Sequence, residues 1–175
     1  MKKRRFPAAV ILLALLTACS ADPAPDSIGK DSDTVTAVKK ISDSDFELRL
    51  IAERVEQEDN VFKLEAGLRY TGDQPEATVM HGDPLFYAGL TIDGEQVNGP
   101  IAISTVGLFT PLAANEWHTR DVSIQSSRTQ IKQFYAKGGE ITLHAEFSAD
   151  DYANGAGYNA TLSLKSAEIL REKED

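Results

Sequence analysis

Three stretches of strict alternation constrain this chain more than any other feature. Phe46, Leu48 and Leu50 alternate with Glu47 and Arg49; Phe62, Leu64, Ala66, Leu68 and Tyr70 alternate with Lys63, Glu65, Gly67 and Arg69; Ile141, Leu143, Ala145 and Phe147 alternate with Thr142, His144 and Glu146. Successive side chains on a strand point to opposite faces, so a period of two predicts strands with one face in a core and one in water. Four more strands are expected over 85–92, 101–106, 118–124 and 158–169, the last with a bulge or bend near Lys165, where the apolar parity changes. Turn sequences separate them: Glu58-Asp59-Asn60, Thr71-Gly72-Asp73, Gly138-Gly139, and Asp93-Gly94, which is a hairpin signal because both residue types tolerate positive φ. Only 127–135, with Ile131, Phe134 and Tyr135 at helical spacing, reads as a short helix.

About seven short strands without a sustained helix predict an all-β fold, an antiparallel sandwich of immunoglobulin-like type with one short helical segment. An open or closed barrel is the alternative. The domain is expected over 45–175. Ahead of it, 20–44 is rich in Pro, Asp, Ser and Thr and poor in large apolar residues, and it reads as a flexible linker. The first residues place Lys2, Lys3, Arg4 and Arg5 before an apolar run from Phe6 to Leu16 and then small residues, the three-part pattern of an export signal over 1–18. That run is too short to span a bilayer as a permanent helix.

Leu16-Thr17-Ala18-Cys19 resembles the lipobox of bacterial lipoproteins. The resemblance implies cleavage before Cys19, a diacylglycerol on its sulfur, and a chain held on the outer side of a membrane, with 19–44 as the tether. At least two acyl chains are what stable anchoring requires. No second cysteine exists, so no intrachain disulfide forms, in a compartment that would permit one. The strand 62–70, the strand 85–92 leading into Asp93-Gly94, and the Pro111-Leu112 to Glu116-Trp117 approach to a strand also resemble immunoglobulin-like extracytoplasmic lipoprotein domains, and more weakly proteinase-inhibitor-like sandwiches. These are traits of architecture, and function has to be argued from a site.

Charge excludes some partners. The whole chain carries 18 basic and 27 acidic residues, and loss of the signal would remove four of the basic ones. So acidic a domain is repelled by nucleic acid and by anionic headgroups, which leaves the lipid on Cys19 as the membrane contact and an envelope protein as the expected partner.

Catalytic constellations are missing. There is no Gly-x-Ser-x-Gly elbow, the one cysteine is expected to carry lipid, and of the three histidines His144 falls on the polar parity of its strand. No His-Glu-x-x-His or cysteine cluster occurs, and His81-Gly82-Asp83 is the nearest approach to a metal-ligand pair. The expectation is therefore a non-enzymatic binding module with no cofactor and no metal. An inhibitor-like module and a metal-binding or enzymatic envelope protein are the alternatives. If the strands follow immunoglobulin order, the loops 71–84 and 148–157 meet at one end of the sandwich. That predicts a candidate binding cluster of His81, Asp83, Tyr152, Asn154 and Tyr158, with Trp117 beside it, on the side from which the tether leaves.

Overall fold

The alternating stretches become strands and pair with one another. The computed structural model describes residues 22–56, 58–99, 101–149 and 157–172. One antiparallel sheet places β1 (Ser27–Lys30), β2 (Thr34–Lys40), β3 (Phe46–Glu53), β4 (Val61–Tyr70) and β8 (Trp117–Gln125) in that order. The other runs β10 (Gly157–Lys165), β9 (Glu140–Ala149), β5 (Glu76–Ile92) and β6 (Glu95–Gln96), and β7 (Ser104–Ala113) pairs with the first half of β5. β3-β4-β8 and β10-β9-β5 correspond to the A-B-E and G-F-C strands of an immunoglobulin sandwich. β7, the fourth strand in that order, sits on β5 instead of joining the other sheet.

The predicted parity decides what is buried. Leu48, Leu50 and Leu68 of one sheet and Leu143, Leu162 and Leu164 of the other belong to a single buried apolar cluster. At one end of the sandwich Phe46 lies 5.1 Å from Phe147, 5.5 Å from Tyr70 and 5.8 Å from Tyr158 between ring centroids, so the start of β3, the end of β4, the end of β9 and the start of β10 meet around one aromatic group. Tilted and edge-on pairs at this spacing match the ring quadrupoles as well as filling volume.

The helix expected over 127–135 is α1 (Arg128–Lys137). The Ser127 hydroxyl accepts from the Gln130 amide at 3.2 Å, and Gly138 ends the helix at φ 77, where a side chain would be strained. α1 buries Ile131 and Phe134 over the core, with Phe134 5.0 Å edge-on from Phe62. Asp93-Gly94 closes the β5–β6 hairpin with φ 56 and 79, the positive pair that the tightest hairpin turns need.

Several expectations are corrected. The linker expected to end at residue 44 contains β1 and β2: Thr34 to Lys40 pairs with Glu53 to Glu47, and Val35 and Ala37 are fully buried. The chain joins the fold earlier still, where Pro23 O accepts from Ser163 N at 2.8 Å along the outer edge of β10. The N-terminal segment therefore does not join the fold at Asp45 from the aromatic end, as expected, but along β10. The strand expected at 101–106 lies at 104–113, and the bend expected near Lys165 is the end of β10, followed by a turn in which Glu168 N donates to Lys165 O at 2.9 Å.

Candidate functional site

His81 and Asp83 are strand residues and not loop residues. β5 continues through Gly82, Asp83 and Pro84 because it has partners on both sides: Met80 faces Phe109 of β7 and Ser148 of β9. The Gly-Asp-Pro sequence is accommodated as a shift of register between His81 and Phe86 on the β9 side. Below this irregularity lies an open concavity of about 610 Å³, lined by Met80, His81, Ser104, Glu146, Tyr158 and Asn159 among others. A smaller cleft of about 150 Å³ lies between Val55, α1 and Arg171, where Arg128 is paired with Glu58.

The concavity brings together two of the predicted residues. The His81 ring has both nitrogens engaged within the protein: Nδ1 faces Gly82 O and Nε2 is 2.9 Å from Thr110 Oγ1. A carbonyl only accepts, so Nδ1 donates to it, and in the neutral ring Nε2 accepts from the Thr110 hydroxyl. With both nitrogens bound in this way the ring offers neither a free lone pair for a metal nor a poised base. Tyr158 forms the opposite wall. Its ring stacks 5.1 Å from Phe147, and burial followed by the charge of Asp45 raises its hydroxyl above the usual tyrosine range. It works first as packing, with one edge on the concavity.

The other predicted members separate. Asp83 faces Ser104 across the register shift and does not line the concavity. Tyr152, Asn154 and Cys19 lie outside the described residues. Trp117 sits on the outside of the opposite sheet, its ring stacked by the guanidinium groups of Arg49 at 4.5 Å and Arg69 at 4.4 Å. Each arginine is fixed by a carboxylate, Arg49 by Glu65 at 2.7 Å and Arg69 by Glu47 through Nε at 3.0 Å. Gly67 leaves the space for this stack, since a Cβ there would come within 3.1 Å of the indole. Trp117 is thus engaged by two cations and does not line the concavity.

His144 does lie on the outer face of β9, as its parity predicts, but it is not simply solvated. Tyr87 stacks on it at 4.7 Å with ring planes 2° apart, and the Tyr87 hydroxyl donates to Glu146 at 3.0 Å. Burial lowers the imidazole below the usual histidine value against the pull of Glu146. Among the described residues no group of three or more His, Cys, Asp or Glu is placed to hold a metal ion.

The sequence reading missed Met80, Ser104, Glu146 and Asn159 as lining residues. It also missed the apolar arm beside them, where Val106 is 64% exposed, Phe109 62% and Leu108 41%. One signal was available: no charged residue occurs from Ile101 to Asn115 in a chain otherwise dense in acids.

No family model matches the chain, and no curated protein matches it. Two solved structures are similar in outline. One, described as the X-ray structure of Northeast Structural Genomics Consortium target SoR45, has a TM-score of 0.39 at 13% identity over 81% of this chain and 90% of that one. The other, a protein from Archaeoglobus fulgidus, has a TM-score of 0.35 at 8% identity over 79% of this chain and 95% of that one. Among the described residues no helix is long and apolar enough to cross a membrane.

Proposed function

We propose that this chain is a lipid-anchored, non-enzymatic binding module on the outer side of a bacterial membrane, held by diacylglycerol on Cys19 and taking an envelope protein at the concavity between β5, β7, β9 and β10. The observation that carries the binding half is the concavity itself. It mixes polar groups with an aromatic wall, and its histidine is satisfied internally, which suits contact better than chemistry. The anchoring half rests on Leu16-Thr17-Ala18-Cys19. With Pro23 already bound to β10, the tether is short: four residues fully extended reach about 14 Å, so the sandwich stands on the membrane rather than clear of it.

Two measurements test the two halves separately. Radioactive palmitate is expected to label the full chain and not its Cys19→Ala variant; equal absence of label from both removes the anchor. Affinity capture from envelope extract with the full chain is expected to bring down one stoichiometric protein. Met80→Asp, an exposed change at the rim, is expected to lose it, and capture unaffected by that change removes the site.

A further inference from the structure

Strand edges are templates for further pairing, and folded proteins guard them with charge, brevity or cover. Among the described residues, four of the five outer strands are guarded. β1 is four residues long and ends in Lys30; β6 is only two residues long and begins with Glu95; β8 carries Arg120 and Asp121; β10 is met by Pro23, whose carbonyl takes the Ser163 amide. β7 is different. It has ten residues, none charged, and among the described residues no backbone hydrogen bond reaches the outer edge of 104–110.

We infer that β7 pairs antiparallel with β7 of a second copy of this chain, about a twofold axis at Gly107. That register sets Val106 opposite Leu108 of the second copy and Leu108 opposite its Val106, so four exposed aliphatic side chains meet at the axis. Thr105 falls opposite Phe109, and Ser104 opposite Thr110. The pattern is self-complementary, as a twofold contact between identical strands must be. Cross-strand aliphatic and aromatic pairs are the contacts that stabilise such an edge. The pairing ends at Pro111, which has no N–H to offer and belongs on an outer strand. Like charge explains why the contact falls here: a chain of net charge −9 repels its copies, and β7 is the long edge on which no carboxylate is brought against another. A lipid surface is the less suited occupant, because Pro23 brings the N-terminal side of the chain to β10, the opposite edge of the same sheet. The inference does not depend on the proposed envelope partner.

The test uses the full chain carrying Gly107→Cys in its own membranes under mild oxidation, read on a non-reducing gel. The expected result is a band at twice the chain mass, identified by mass spectrometry as a disulfide joining the introduced thiols of two copies and absent from the wild type. Adding Leu108→Lys is expected to abolish it, while Thr161→Lys, on the face of β10, leaves it in place. Three results overturn the inference: an introduced thiol that reacts freely with a water-soluble maleimide yet forms no dimer, a disulfide to a different protein, or a thiol shielded only when membranes are present. Palmitate labelling is scored independently, so failure of the anchor and failure of the dimer are told apart.

Discussion

β10 and β7 are outer strands of one sheet, of similar length, and the chain treats them in opposite ways. β10 turns Leu162 and Leu164 into the core, bonds Ser163 to Thr142 on its outer face at 2.8 Å, and has its free edge met by the N-terminal segment. β7 buries only Leu112 and leaves Val106, Leu108 and Phe109 outside. The same physics of strand pairing thus closes one side of the sheet and leaves the other open. An edge that folding alone required would not retain apolar side chains without charge.

The largest contrast is expected from one truncation made on each strand. Leu162→Ala removes a fully buried side chain and should cost about 2–5 kcal/mol in urea unfolding, whereas Leu108→Ala, 41% exposed, should stay within about 0.5 kcal/mol in dilute detergent solution. Equal costs would mean that β7 is as much core as β10. A smaller effect is expected on uncovering the guarded edge. A chain that begins at Asp26 loses the Pro23–Ser163 hydrogen bond and should be destabilised by about 0.5–1.5 kcal/mol, and an unchanged unfolding midpoint would show that the N-terminal segment guards nothing.

The gentlest probe is pH, acting on the strands between and beside the two edges. Burial lowers His144, and burial with Arg120 and His81 lowers His118. A histidine held below its unfolded value leaves stability intact above about pH 6.5 and withdraws it as the pH falls toward the folded value, because the unfolded chain takes up the proton more readily. The urea midpoint should therefore fall between about pH 7 and 5, and His144→Gln should shallow the fall. A midpoint that rises on acidification would contradict the stacked arrangement with Tyr87.

The alternation over 62–70 was legible because it is local: the residues that carry it are contiguous, and no other part of the chain is needed to read it. β2 was harder. Thr34, Val35, Thr36, Ala37 and Val38 also alternate, but the run is short, its apolar members are small, and Pro, Asp and Ser stand around it, so composition spoke for a tether. β3 supplied the missing term, since pairing and burial against a ready strand order a segment whose own apolar content is too low to do so. His81 was read as part of a loop for a related reason. Gly82 and Pro84 disfavour a strand in isolation, and β7 and β9 together impose one.

Side-chain parity, turn positions and the capped helix were determined by the sequence itself, because each depends on residues within a few positions of one another. The tertiary structure alone decided which strand edges find a partner, that Pro23 guards β10 while β7 stays open, and that His81 and Tyr158 line one concavity when Asp83 and Trp117 do not. Those outcomes depend on hydrogen bonds and contacts between residues far apart in the chain, and a periodicity of two is indifferent to which remote strand will lie alongside.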